Sequence, residues 1–385
     1  MLAELGDPHR LFPLVHVGGT NGKGSVTALI AGALQEAGFR VGVYTSPHLV
    51  SFRERIMVGD APISEEAVAM WVHRLRPLAD QLGATFFETT TAVAFADLAA
   101  RGAEVAVIEV GLGGRLDSTN VIRPVASVVT KIEMDHQKYL GDSLAAIARE
   151  KAWIAKPAAP FVIGETRPEL IAVLRSEAQA AVQSLEPGAD ADVRVVPAST
   201  EYDGALALGG GHQRRNAAVA EAVLQALPAR YRPGERAVRD GFARVTVPGR
   251  FDRRGKWLFD VAHNPDGIAA LCRAIEAAAP PRPIHALVSI LSEKAWPEML
   301  VQLDRVVDRG ILTVTPSAAG RRWDLDWLRR WLKSPDRPPA RASWHLVAEF
   351  PAALAEAQRG AGTVLVTGSF HTVGDVMNVL GLGPL

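Results

Sequence analysis

Leu14-Val15-His16-Val17-Gly18-Gly19-Thr20-Asn21-Gly22-Lys23-Gly24-Ser25 is the stretch from which the rest of the chain can be read. An apolar strand runs into a loop holding four glycines, a lysine and a serine. Val26 to Leu34 then reads as a helix and Arg40 to Thr45 as the next strand. A strand, a glycine-rich loop and a helix N-terminus make a cradle for an anion. Consecutive backbone N–H groups can turn inward there, and the helix end adds partial positive charge. Lys23 would neutralise nucleotide phosphates, and a hydroxyl beside it would reach the shell of a magnesium ion. The common pattern G-x-x-x-x-G-K-[ST] is not met. Val17 stands where the first glycine belongs, and Gly24 separates Lys23 from Ser25. Locally, a phosphate loop and a plain glycine-rich turn both remain open.

The bulk composition narrows the class. A chain of 385 residues suggests two or three domains, and 48% hydrophobic with 22% charged residues is an ordinary globular balance. Basic and acidic residues stand at 42 each, so no global field favours nucleic acid or an anionic membrane. The single cysteine, Cys272, excludes an intrachain disulfide and a cysteine-rich zinc site, and reads as a small core residue of a helix. No run of eighteen apolar residues offers a membrane span. Met1 to Arg10 carries acids where a signal peptide is basic and then apolar, so a cytoplasmic protein is expected.

Strands alternate with helices as far as about Ile163. After a long connection at Ser46–Ile56, helices are expected over Ser64–Leu82 and Phe87–Ala100. Strands at Glu104–Val110 and Val125–Thr130, a helix over Ser143–Lys156 and a short strand at Phe161–Gly164 follow. A sparser region, Gln179–Gly210, contains a hairpin-like Tyr202-Asp203-Gly204, before helices over His212–Ala226 and within Pro228–Thr246. A second alternation begins after Val247-Pro248-Gly249-Arg250, with strands at Trp257–Asp260, His285–Ile290, Gly310–Val314 and Thr363–Thr367. The expected fold is α/β: a parallel sheet with helices on both faces in residues 1–247, and a smaller doubly wound domain in 248–385. A Pro/Arg-rich patch lies at Ser334–Arg341.

In an open parallel sheet the ligand lies beyond the C-terminal ends of the strands. Val17 leads into the loop, Thr45 into Ser46-Pro47-His48, Glu109 into Val110–Asp117, and Thr130 towards Asp135-His136. A strand-end carboxylate near such a loop is where a nucleotide-bound metal is held. Glu109 could equally cap a loop, and His136 could be a surface histidine. Lys151, in Arg149-Glu150-Lys151-Ala152-Trp153, reads locally as a solvated helix lysine. Asp260 and His263 end the first strand of the second domain. The residues point to a magnesium–nucleotide enzyme with two α/β domains and a cleft between them. A kinase or a non-catalytic nucleotide-binding protein would use the same loop.

Gly19–Ser25, Tyr44–Leu49 with Phe52–Ile56, Glu109–Asn120, Asp135-His136, Glu150-Lys151-Ala152, Pro248–Phe251, Asp260–Pro265 and Thr367–Ser369 occur in the order that resembles folylpolyglutamate synthase/dihydrofolate synthase, of the Mur ligase superfamily. The inserted Gly24 is usual in that family. The resemblance implies a P-loop ATPase domain followed by a Rossmann-like glutamate ligase domain. It implies an ATP-dependent ligase that adds L-glutamate to dihydropteroate or reduced folate through an acyl phosphate, acting as a monomer. It carries ATP to Thr20, Asn21, Gly22, Lys23, Gly24, Ser25, Asn216, Arg250 and Asp260. Mg2+ goes to Ser46, Glu109 and His136, and the pterin substrate to Thr85, Phe86, Phe87, Glu88 and Leu116. Lys23, Lys151 and His263 become the catalytic group, with Lys151 carbamylated. A cell-wall precursor ligase is the alternative within the superfamily. The sequence departs from the family pattern at Trp153, where glycine is usual, and at Ala295, where an acid commonly follows the lysine. Members also carry a further N-terminal segment before the equivalent of Leu5–His9, which implies a late start codon or a more open pterin pocket here.

Overall fold

The computed structural model describes residues 1–334 and 340–385, and most of the Pro/Arg-rich patch at Ser334–Arg341 lies outside them. The chain divides into two compact units. The first comprises Met1–His48, Phe52–Ala207 and Gln213–Val245; the second comprises Leu49–Ser51, Leu208–His212 and Thr246–Leu385.

The first unit is built on an eight-stranded sheet: β1 (Leu14–Gly18), β2 (Val41–Tyr44), β3 (Ile56–Val58), β4 (Ala61–Pro62), β5 (Val105–Glu109), β6 (Ala126–Val129), β7 (Phe161–Ile163) and β8 (Val193–Val195). Their order is β4-β3-β2-β5-β1-β6-β7-β8. β1 and β5 are buried along their whole length, as unbroken apolar strands covered on both faces must be. β1 lies between β5 and β6, with Val17 opposite Glu109 and Gly18 opposite Val129, so three strands end together.

The sheet is parallel except at one edge, where β3 runs antiparallel to both β2 and β4. The expected long connection at Ser46–Ile56 thus leads into a hairpin, Ile56–Pro62, turned by Gly59 (φ +57) and Asp60 as a glycine-first two-residue turn allows. The region from Gln179 is also more regular than expected, because a helix spans Pro168–Leu185 and β8 adds an edge. Tyr202–Gly204 forms no hairpin. The Tyr202 N–H donates to Arg214 O at 3.1 Å, and the Arg214 guanidinium returns to Tyr202 O.

The helix after the glycine-rich loop, Lys23–Glu36, crosses the helix Glu235–Arg244 through two glycines. A Cβ on Gly241 would sit 2.7 Å from Ala33 N, and one on Gly32 would sit 2.2 Å from Val245 Cγ2. The Arg244–Glu36 ion pair, at 2.7 Å, closes the crossing.

The second unit has β9 (Asp252–Arg254), β10 (Trp257–Phe259), β11 (Ile284–Val288), β12 (Arg309–Leu312), β13 (Ser343–Leu346) and β14 (Thr363–Thr367), in the order β13-β12-β11-β14-β10-β9. All pairs are parallel except the β9–β10 hairpin. Neighbouring strand residues divide between two cores: Leu258, Ala286, Val288 and Leu365 enter one, Phe259, Leu287 and Val366 the other. That period of two places helices on both faces. Cys272 is buried in the helix Pro265–Ala278. Among the described residues no helix is long and apolar enough to cross a membrane.

Candidate active site

In the first unit the loop Gly18–Gly22 has its carbonyls drawn into the protein. Gly18 O accepts from Thr130 N at 3.0 Å and Asn21 O lies 2.8 Å from Thr130 Oγ1. Gly19 O accepts from Lys151 Nζ at 2.9 Å, and Thr20 O from Lys23 Nζ at 3.2 Å. Carbonyl oxygens aimed at a phosphate would repel it, and here four in succession are engaged elsewhere. Gly19 has φ +134 and a Cβ there would overlap Thr130 Oγ1; Gly22 has φ +93 and a Cβ there would lie 2.6 Å from Asn216 Oδ1. Both positions demand glycine.

The helix starting at Lys23 has Gly22 as its N-cap and no side-chain cap. Side-chain oxygens cap the helices starting after Ser64, Thr85, Ser143 and Asn264, whereas those after Arg167, Gly234, Ala295 and Glu349 are uncapped like this one. An uncapped N-terminus keeps its first N–H groups for a ligand. These features fit nucleotide phosphates.

Lys151 corrects the local reading of a solvated lysine, because it is buried at 5% exposure. Its helix is Leu144–Ala152, shorter than the expected Ser143–Lys156. Glu150 O accepts from Arg115 N at 2.9 Å. A Cβ on Gly114 would lie 2.7 Å from that carbonyl and 3.0 Å from Lys151 Cα. The Gly111–Asp117 loop therefore lies on this turn and covers the lysine. Burial first, and then the charge of Lys23, lowers the Lys151 pKa to about 7, against the pull of Asp135 and Asp117.

Glu109 is buried and its carboxylate accepts from Ser46 N at 3.3 Å. His136 has φ +51 at the start of the short helix Gln137–Leu140, and its N–H donates to Asp135 Oδ1 at 2.8 Å. Among the described residues no group of three or more His, Cys, Asp or Glu forms a metal cage. Magnesium needs none: it is commonly held by one or two carboxylates, with phosphates, water and other oxygen or nitrogen donors completing its shell. The hydroxyl, carboxylate and imidazole of Ser46, Glu109 and His136 fit such a partial shell.

Thr85 caps the helix Phe86–Ala100 in a capping box with Glu88. Phe86 is 66% and Leu116 86% exposed. Phe87 stacks on Tyr44 at 6.1 Å, and its ring occupies the space where a Gly111 side chain would be.

In the second unit, Asp260 follows β10. Its carboxylate accepts from Phe251 N and Ala262 N, both at 2.9 Å. Burial raises its pKa against the Arg250 charge and these bonds. Arg250 lies over the Phe370 ring at 5.4 Å. The His263 Nδ1–H donates to Val261 O at 2.8 Å, so Nε2 is the nitrogen that can accept.

Two family models match the chain: the Mur ligase middle domain over residues 17–224, and the Mur ligase glutamate ligase domain over 246–370. A dihydrofolate synthase/folylpolyglutamate synthase of Bacillus subtilis is 34% identical over 332 residues, 80% of this chain and 77% of that one. The chain belongs to the folylpolyglutamate synthase/dihydrofolate synthase family of Mur ligases. The solved E. coli FolC in complex with DHPP and ADP superposes with a TM-score of 0.83 at 31% identity, covering 98% of this chain and 91% of that one. A bifunctional folylpolyglutamate synthase/dihydrofolate synthase with Mn, AMPPNP and L-glutamate bound gives 0.81 at 28%, covering 99% and 93%.

Beside the family motifs, sequence reading passed over His16, Thr130 and Glu165. His16 is fully buried in β1, with Nε2 2.8 Å from Thr119 Oγ1. The Thr119 hydroxyl donates to Asp117 Oδ1 at 2.5 Å, so His16 must donate in turn. Burial and the Lys156 charge hold the His16 pKa down at about 3, and its ring stays neutral. The available signal was a polar residue inside or just after an otherwise apolar strand.

Proposed function

We propose that this enzyme, an ATP-dependent amino-acid ligase by family, joins L-glutamate to dihydropteroate, to reduced folates, or to both. The observation that carries the reading is the phosphate loop with its carbonyls engaged by protein donors, beside Lys23, Lys151 and the strand-end Glu109. The substrate carboxylate attacks the γ-phosphorus of ATP, and the bond to the ADP oxygen breaks. The acyl phosphate so formed accepts the glutamate amine. A tetrahedral intermediate then expels phosphate and leaves an amide.

Most of the catalysis is positioning and charge neutralisation. Lys23 and the N–H groups of Thr20–Ser25 hold the phosphates, with Asn216, Arg250 and Asp260 serving the rest of the nucleotide. Ser46, Glu109 and His136 hold Mg2+, which offsets the charge of the phosphate oxygens. Thr85, Phe86, Phe87, Glu88 and Leu116 receive the pterin, for which exposed Phe86 and Leu116 offer apolar surface. His263 Nε2 accepts a proton from the attacking amine. Lys151, with its pKa lowered to about 7, presents the neutral amine that carbon dioxide converts to a carbamate. The enzyme works in the cytoplasm as a monomer, with the ATP-binding role in residues 1–247 and the glutamate ligase role in 248–385.

Phosphate release by purified protein with ATP, magnesium and L-glutamate tests the reading. Turnover is expected only when dihydropteroate or tetrahydrofolate is added. Turnover that ignores both pterins refutes it.

A further inference from the structure

Glu165 follows β7 and Gly164 and is fully buried. An unpaired charge in that position would cost several kcal/mol, yet this carboxylate is surrounded by donors. Oε2 accepts from Ile132 N at 2.9 Å, and Oε1 from Thr166 N at 2.8 Å and Arg167 N at 3.0 Å. The Arg167 guanidinium adds a fork, Nε to Oε1 at 3.0 Å and Nη2 to Oε2 at 2.9 Å. Burial alone would raise the Glu165 pKa; these donors outweigh it and hold it low.

The clamp closes on one peptide segment. Glu165 takes the N–H of Ile132, and Arg167 Nη2 donates to the carbonyl of the same residue. In extended chain, successive residues turn their peptide groups to opposite sides. Lys131 and Glu133, flanking Ile132, accordingly face the phosphate loop. Thr20 N donates to Lys131 O at 2.7 Å, and Asn21 bridges Lys131 in antiparallel fashion. Glu133 N donates to Thr20 Oγ1 at 3.1 Å, and that hydroxyl donates back to Glu133 O at 3.2 Å. One side of the segment is thus fixed by Glu165 and Arg167, and the other side fixes Thr20 and Asn21.

We propose that Glu165, locked by Arg167, is a positioning residue for the phosphate loop: through Ile132 it sets where Thr20 and Asn21 lie, and so sets nucleotide affinity without touching a reacting atom. This rests on the reading of Gly18–Ser25 as the nucleotide cradle. Only a carboxylate meets the site, since every group facing it is an N–H donor. Glutamine keeps the shape but turns an amide N–H2 towards a donor. Lysine at position 167 keeps the charge but loses the fork.

The test compares Glu165→Gln, Arg167→Lys and a core control, Leu174→Ala, which is buried in the same unit but outside the clamp. ADP affinity is measured by calorimetry, melting temperature by thermal scan, and KM separately for ATP, L-glutamate and pterin. Glu165→Gln and Arg167→Lys are expected to weaken ADP and raise KM for ATP by about tenfold or more, the scale of one charge-assisted hydrogen bond. KM for glutamate and pterin stays within about twofold, and saturating ATP restores kcat. Leu174→Ala lowers the melting temperature and leaves ADP affinity alone. Glu165→Gln that melts early with unchanged ADP affinity overturns the inference, as does an equal rise in every KM. Should Glu165→Gln not fold, Arg167→Lys with wild-type ADP affinity overturns it. Wild-type protein that binds no ADP overturns the cradle reading and this inference together. ADP binding that Lys23→Ala abolishes and Glu165→Gln leaves intact overturns the inference alone.

Discussion

Replacing Lys151 with methionine should change how stability depends on pH, by an amount that follows from burial. The amine pKa is lowered from 10.5 to about 7, first by desolvation and then by the Lys23 charge. Between those values the unfolded chain carries a proton that the folded chain has released. Unfolding therefore takes up a proton, and stability rises with pH across the window. At a limiting slope of about 1.4 kcal/mol per pH unit, the wild type gains about 2.5 kcal/mol between about pH 7.5 and about pH 9.5 from this group alone. Below pH 7 both states are protonated and the buried ammonium weighs on the fold by its full cost, about 5 kcal/mol.

Lys151→Met keeps the length of the side chain and abolishes the titration. It also leaves Gly19 O without this donor, a pH-independent loss of about 1–3 kcal/mol. The variant should accordingly be the more stable protein at about pH 6 and lose that lead as pH rises, while ligase activity disappears. Urea unfolding of both proteins in carbon-dioxide-free buffer at three pH values measures the difference, in which the titrations of all other groups cancel. A difference that does not move with pH, or a variant less stable than wild type at pH 6, would refute the reasoning.

Bicarbonate should raise wild-type turnover near neutral pH, and Lys151→Ala should be inactive but partly rescued by formate or acetate; ordinary rates in Lys151→Ala would remove the carbamate from the mechanism. Gly22→Ala, which forces a Cβ to 2.6 Å from Asn216 Oδ1 at φ +93, should weaken ADP by about tenfold or more. Calorimetry reads this, and unchanged affinity would contradict the assigned loop geometry. Gly241→Ala meets backbone at 2.7 Å, where nothing flexible can yield, and should cost about 1–3 kcal/mol by overpacking. A thermal scan showing an unchanged melting temperature would speak against the tight crossing.

Much of the frame was readable because its signals are local. The apolar run of β1 and the glycines after it announce themselves within a few residues. The helix His212–Ala226 has the bounds expected of it. The edges were not readable. β8 and β13 are short and half-buried, so their alternation covers too few residues to stand out. Lys151 misled because its burial comes from the backbone of Gly114, far away in sequence. Glu165 was passed over for the same reason: a charge after a strand looks solvated until Ile132 and Arg167 are known to face it. Local pattern reports which elements form, and only the tertiary approach of a distant backbone decides which charge is buried.

The glycine crossing of Lys23–Glu36 with Glu235–Arg244 has a consequence for biosynthesis. The Glu36–Arg244 pair that closes it spans 208 positions. As the ribosome releases the chain in order, the helix that begins at Lys23 emerges early, and its packing partner emerges last in the first unit. Until then the face around Gly32 and Ala33 lies bare, an apolar surface open to chaperones or to another nascent chain. The glycine-rich loop before that helix is therefore among the first parts of the chain to be made and among the last to be braced. Mutations in residues 235–245 should accordingly show themselves first in the yield of soluble protein during synthesis, before any effect on the finished catalyst.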